Sequence, residues 1–167
     1  MKDSRPGAAR AFSLVEVAIS TIVIGVMYAA VLNTVAAAKL TQAATADRIR
    51  GHELAQQLLT EILLLPYVDP PYNSEFGPAS AEAAASRGQF DDVDDYHRYS
   101  ESPPKHSDGS DMADLAGWSR TVTVIRANTN DLTAAATIET GAKRITVQVL
   151  RGTKVVAEAA ALRTNVD

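Results

Sequence analysis

The chain contains no cysteine, which excludes a disulfide framework and any cysteine-containing zinc site. Aromatic residues make up only 5% of it, and the net charge is −4. Nothing in that composition builds the basic, aromatic-studded surface that holds nucleic acid, so no nucleic-acid partner is expected. The three histidines, His52, His97 and His106, show no metal-ligand spacing, and none pairs with a nucleophile. No catalytic constellation is legible, and the chain is not expected to be an enzyme.

What the sequence has in excess is one long apolar run. No charged residue occurs from Val17 to Ala38, about the 20-residue length a helix needs to span the hydrocarbon core. Lys2, Arg5 and Arg10 precede it, opposed only by Asp3. That places the N-terminus in the cytoplasm and the remainder outside. A single acid, Glu16, interrupts the start of the run. A carboxylate is costly in lipid, so it calls for a functional reason. A secretory signal peptide with Ala36–Ala38 as its cleavage site accounts for the basic leader, and a plain single-pass anchor accounts for the length. Neither accounts for Glu16.

The stretch Ala11-Phe12-Ser13-Leu14-Val15-Glu16 resembles the prepilin processing motif of type IV pilins and type II secretion pseudopilins. In that family a small residue precedes the cut, an aromatic or Met follows it, and a Glu comes four residues later. Ala11 stands where the family usually has Gly. The resemblance implies cleavage between Ala11 and Phe12 by a prepilin peptidase and methylation of the new amine of Phe12. It also implies that Glu16 neutralises the Phe12 amine of a neighbouring subunit during assembly, a pairing that makes an intramembrane carboxylate tolerable. The implied partners are other pilin or pseudopilin subunits, the prepilin peptidase, an assembly platform and the bacterial inner membrane. The implied topology is single-pass, with a periplasmic head that later joins a pilus or pseudopilus.

Helical character continues past the apolar run. Residues 39–65 are rich in Ala, Gln, Leu and Glu. Leu54, Leu58, Ile62 and Leu65 recur at three- and four-residue spacing, an apolar stripe suited to packing under a head domain. Asp47, Arg48, Arg50, Glu53 and Glu61 are expected on the other faces, Gly51 is a weak point, and Pro66 ends the helix. A helix from Phe12 to Leu65 would be roughly 80 Å long.

Residues 67–117 read as a long Pro-rich acidic loop with little regular structure. Within it lie Asp91, Asp92, Asp94 and Asp95, acids that repel one another unless solvated or bound to a cation. One reading is a calcium site, with Asp108 or Asp111 completing an oxygen shell, although the spacing is not that of an EF-hand. The other is a solvated acidic turn, with Phe90 and Tyr96 as packing anchors. His97 is expected as a surface histidine. Trp118 is expected to fill the core at the start of a strand.

Three strands follow from period-two alternation. The first covers 119–126, with Arg120, Val122, Val124 and Arg126 on one side. The second covers 143–151, with Ile145, Val147 and Val149 on one face. A hairpin turn at Arg151-Gly152-Thr153 leads into the third, over 153–162, and a short strand is expected near Thr137.

The expected organisation is thus a leader over 1–11, a transmembrane or filament-core helix over 12–38 and an extramembrane helix over 39–66. The acidic loop over 67–117 and an antiparallel sheet of three to four strands over 118–167 complete it. The class is α+β and pilin-like, and the order of elements, with Glu53–Glu61, is similar to the I-type minor pseudopilins. The alternative is an exported or membrane-anchored binding protein or enzyme with an acidic metal-binding loop.

Overall fold

A computed structural model of the protein describes residues 13–68, 76–78 and 87–165. A single α-helix, α1, runs over Leu14–Leu63. It contains no proline and only two glycines, so nothing in its interior removes an N–H from the ladder. It closes two residues before the expected end. There the N–H groups of Leu64 and Leu65 turn back onto the carbonyls of Glu61 and Ile62, at 3.2 and 3.1 Å. This tightened last turn satisfies carbonyls the helix leaves open, and Pro66 follows.

The chain divides into two units between Ala44 and Thr45. The described part of the first is helix alone, and every residue from Ser13 to Ala44 is exposed. The second contains the rest of α1 and a sheet. Its five strands are β1 (Ser100–Glu101), β2 (Trp118–Asn128), β3 (Asp131–Ala135), β4 (Ala142–Arg151) and β5 (Lys154–Thr164). All pair antiparallel, in the order β1-β2-β4-β5, with β3 folded back onto the end of β2. The α+β architecture matches the expectation, with one strand more than the upper count. The extra pieces are β1, too short to show a period, and β3, which ends before Thr137 rather than spanning it.

The alternation of β2 and β4 decides what is inside. Trp118, Arg120, Val122 and Val124 of β2 face the core beside Lys143, Ile145, Val147 and Val149 of β4, and all are buried. The helix contributes Leu54, Ala55, Leu58, Leu59 and Ile62, with Leu65 partly buried beside them. This is the stripe read from the sequence, widened by Ala55 and Leu59. Gly51 is also buried, because β5 comes closest there. A Cβ at that position would lie 2.9 Å from Cγ2 of Val156 and 3.0 Å from Cβ of Ala157. The β4–β5 turn passes through Gly152 at φ 61°, a conformation that glycine adopts without a Cβ clash.

The stretch expected as irregular loop is more ordered than its composition implied. Among its described residues are 3-10 turns at Arg87–Gln89, Asp94–Tyr96 and Ala113–Leu115, together with β1. Val93, Tyr96 and Leu115 enter the core. Phe90, Tyr96 and Tyr99 meet edge to face, with centroids 4.9 to 5.7 Å apart, the geometry favoured by aromatic quadrupoles.

Candidate functional site

Two features of the chain carry chemistry. The first is the surface of α1 over residues 14–44. Its most apolar 18-residue window has a mean hydropathy of 2.2, and none of that window is buried. By length and composition the helix suffices to cross a membrane. Its threonine hydroxyls are locally satisfied. The hydroxyls of Thr21, Thr34 and Thr41 donate to the carbonyls of Val17, Ala30 and Ala37, four residues back, at 2.8 to 3.0 Å. Back-bonding of this kind lets threonine ride in an apolar environment without an open donor.

Glu16 sits in the first turn of α1. Ser13 caps that turn: its Oγ accepts the N–H of Glu16 at 3.3 Å, and its carbonyl accepts the N–H of Val17 at 3.1 Å. The pair has the S-x-x-E spacing of a capping box, and a carboxylate there also faces the positive end of the helix dipole. Glu16 therefore has a local reason to be where it is, which the sequence reading did not supply. Ala11 and Phe12, the expected processing residues, lie outside the described residues, as does the leader.

The second feature is the ionic interior of the head. The acidic run is not a solvated turn. Asp92, Asp94 and Asp95 are buried, whereas Asp91 is partly buried and Asp108 is exposed. The run is tolerated because its oxygens are spent on backbone donors. Asp92 Oδ1 accepts the N–H groups of Asp94 and Asp95 at 2.8 and 3.1 Å. Asp95 Oδ2 accepts those of Asp91 and Asp92 at 3.0 and 3.2 Å. Asp94 Oδ2 takes the N–H of Gly77 at 3.0 Å, and Asp94 Oδ1 is paired directly with Nζ of Lys143. That ammonium also donates to the carbonyl of Tyr67 and lies 4.4 Å from its ring centroid. Burial, reinforced by the neighbouring Asp94, pushes the Asp92 carboxyl up to about 8. Asp108 belongs to a separate turn, where it accepts the backbone N–H and hydroxyl of Ser110 at 2.9 and 2.6 Å. Among the described residues, no three His, Cys, Asp or Glu side chains converge as metal ligands. The cation facing Asp94 is Lys143.

A second cluster crosses the sheet and the helix. Arg120 is 1% exposed, and its guanidinium pairs with Glu101 while donating to the Leu54 carbonyl at 3.2 Å. Arg87 lies 3.2 Å from Glu101 Oε2 and 2.9 Å from Glu61 Oε1. The hydroxyls of Tyr96 and Tyr99 donate to Glu61 and Glu101 at 3.1 and 2.7 Å. Both arginines also reach the carbonyl of Lys105, and its N–H donates to Glu101 at 3.2 Å. Two cations thus face two acids in a closed, neutral set. Burial lowers the pKa of Arg120 against the pull of Glu101. Burial likewise raises the Tyr96 and Tyr99 hydroxyls, and their acceptor carboxylates add to the shift. Glu61, expected on a solvent face, turns inward to this set.

His97 is likewise drawn in. It packs on the ring of Phe76 at 5.2 Å, and burial lowers its pKa below the ordinary range. The sequence reading did not find Arg87, Glu101, Arg120 or Lys143. The signal available for two of them was alternation, since Arg120 and Lys143 fall in phase with the buried valines and isoleucine of their strands.

Fold and site together define an α+β head with a buried ionic network, in a chain whose N-terminal helix exposes a membrane-length apolar surface. The chain matches no protein-family model, no curated protein sequence and no solved structure.

Proposed function

We propose that the chain is a structural subunit, a minor pseudopilin or minor pilin, of a type II secretion pseudopilus or a type IV pilus-like filament. The observation that carries this reading is the fully exposed apolar surface of α1 over residues 14–40, with one carboxylate, Glu16, in its first turn. An apolar surface of that extent needs a cover. Lipid supplies one, and a bundle of like helices supplies another of the same polarity, so transfer between them costs little hydrophobic free energy. Glu16 supplies the directional part, pairing with the Phe12 amine of a neighbour once the peptidase has cut after Ala11. The head, with its buried ionic network, serves as a periplasmic module and acts on no substrate. The inner membrane, the assembly platform and other pilin-like subunits are the partners, and nucleic acid is not.

Mass spectrometry of the protein from its native membrane tests the processing step. The expected N-terminus is a methylated Phe12, and an intact Met1 or a start after Ala38 overturns the reading. The capping-box position of Glu16 suggests a sharper variant than alanine. Glu16→Gln keeps a side chain that serves at the third position of a capping box but removes the charge. Filament assembly is expected to fail while the helix and membrane insertion persist. Under the plain-anchor alternative, Glu16→Gln changes nothing.

A further inference from the structure

Asp92 is a buried carboxyl that charge balance does not explain. Lys143 already has a partner in Asp94, and a second buried carboxyl beside one lysine adds a desolvation cost. The backbone N–H groups that Asp92 Oδ1 accepts do not require a carboxyl, since an asparagine oxygen would cap them equally. Its other oxygen, Oδ2, lies 3.9 Å from Lys143 Nζ. Asp92 Oδ1 accepts the Asp94 N–H at 2.8 Å, so the two residues share one turn, and burial raises the Asp92 carboxyl to about 8, so that it holds its proton at neutral pH. A buried primary amine therefore touches a carboxyl group, and an acid able to carry a proton stands against both. The residues are 2%, 2% and 3% exposed for Asp92, Asp94 and Lys143.

We propose that Lys143 and Asp94 condense into an intramolecular isopeptide bond, with Asp92 as the proton carrier. The ammonium first gives a proton to the Asp94 carboxylate, leaving a neutral amine and a neutral acid. The Nζ lone pair attacks Cγ of Asp94 while the protonated Asp92 carboxyl hydrogen-bonds to the oxygen that develops charge. Asp92 then gives its proton to the departing hydroxyl and takes one from the attacking nitrogen, and so ends protonated as it began. The C–O bond breaks, the C–N bond forms, and one water leaves. Ammonium plus carboxylate becomes amide plus water, with no change of oxidation state and no co-reactant. The bond would join the 3-10 turn at Asp94–Tyr96 to the start of β4. It does not depend on the filament reading, because every residue involved lies in the head.

The test is a tryptic digest of the denatured full-length chain, purified in detergent. The expected product is a branched peptide joining Gly88–Arg98 to Ala127–Arg144, one water lighter than the two together, because the amidated Lys143 resists trypsin. Lys143→Arg, which keeps the cation but cannot form this amide, is expected to give linear peptides only. Asp92→Asn, which keeps the backbone caps, is expected to slow bond formation by roughly 10²-fold or more, the range for loss of a positioned proton-transfer group. Trp118 fluorescence confirms that both variants are folded. Wild-type protein yielding only linear Gly88–Arg98 and Ala127–Lys143 overturns the bond. Branched peptide appearing at the wild-type rate in Asp92→Asn overturns the role of Asp92.

Discussion

Replacing Glu101 by alanine should be among the most damaging single changes in the head. Its carboxylate receives Arg87, Arg120, the Tyr99 hydroxyl and the Lys105 N–H. Removing it leaves Arg120, 1% exposed, with carbonyl acceptors but no carboxylate, and leaves Arg87 with Glu61 as its one acid. Loss of one partner from a buried pair costs about 3–5 kcal/mol, against a total stability of about 5–15 kcal/mol for a domain. At about 4 °C per kcal/mol for a head of this size, the melting temperature should fall by about 12–20 °C. The assay is thermal unfolding of the full chain in detergent, followed by the fluorescence of its one tryptophan, Trp118, which is buried at the head of β2. The variant Glu101→Leu with Arg120→Met supplies the control. Replacing a buried pair by apolar residues of similar volume is often neutral, so the double change should lose less than Glu101→Ala alone. A Glu101→Ala protein within about 0.5 kcal/mol of wild type, the range of an ordinary surface change, would refute the view that this network is closed and dry.

Three further outcomes follow from the same geometry. Gly51→Leu should lower head stability by about 1–3 kcal/mol, the cost of overpacking, and chemical denaturation would measure it, since β5 leaves no room for a longer side chain. The Asp92 carboxyl is raised from 3.8 to about 8, so the folded head holds a proton that the unfolded chain has released. Its contribution is therefore fully present below pH ~4 and declines until pH ~8; melting temperatures across that window should fall for wild type and flatten for Asp92→Asn. His97 is shifted the opposite way. The unfolded chain takes up its proton first, so stability should drop as pH falls below the ordinary histidine value of 6.5, and His97→Gln should blunt that drop.

How much of this could be read from the sequence depends on the distance over which each residue is satisfied. The helix, its stripe and the alternation of β4 were legible because Leu54, Leu58 and Ile62, or Ile145, Val147 and Val149, signal burial within a few residues of one another. The pairing of Arg120 was not, since its partner Glu101 lies 19 residues earlier, in a two-residue strand with no period to detect. The acidic run was misjudged for the same reason. Four aspartates read as mutually repulsive, yet Asp92, Asp94 and Asp95 are met by backbone N–H groups, and Asp94 also by a lysine 49 residues away. The processing site rests on the register of Ala11, Phe12 and Glu16, and of these only Glu16 falls among the described residues.

The direction of those pairings has a consequence for how the protein is made. Asp47, Glu61, Arg87 and Asp94 are synthesised before the partners that close them. Asp94 waits 49 residues for Lys143, and Asp47 waits 104 for Arg151. Until β4 has left the ribosome, the emerging head has acids without their cations and valines without a facing strand. Contacts of such long sequence separation also close slowly, because the intervening loop must be ordered first. The apolar part of α1, complete by residue 44, meets no such delay. A nascent chain of this design would have that helix formed while its head is still open.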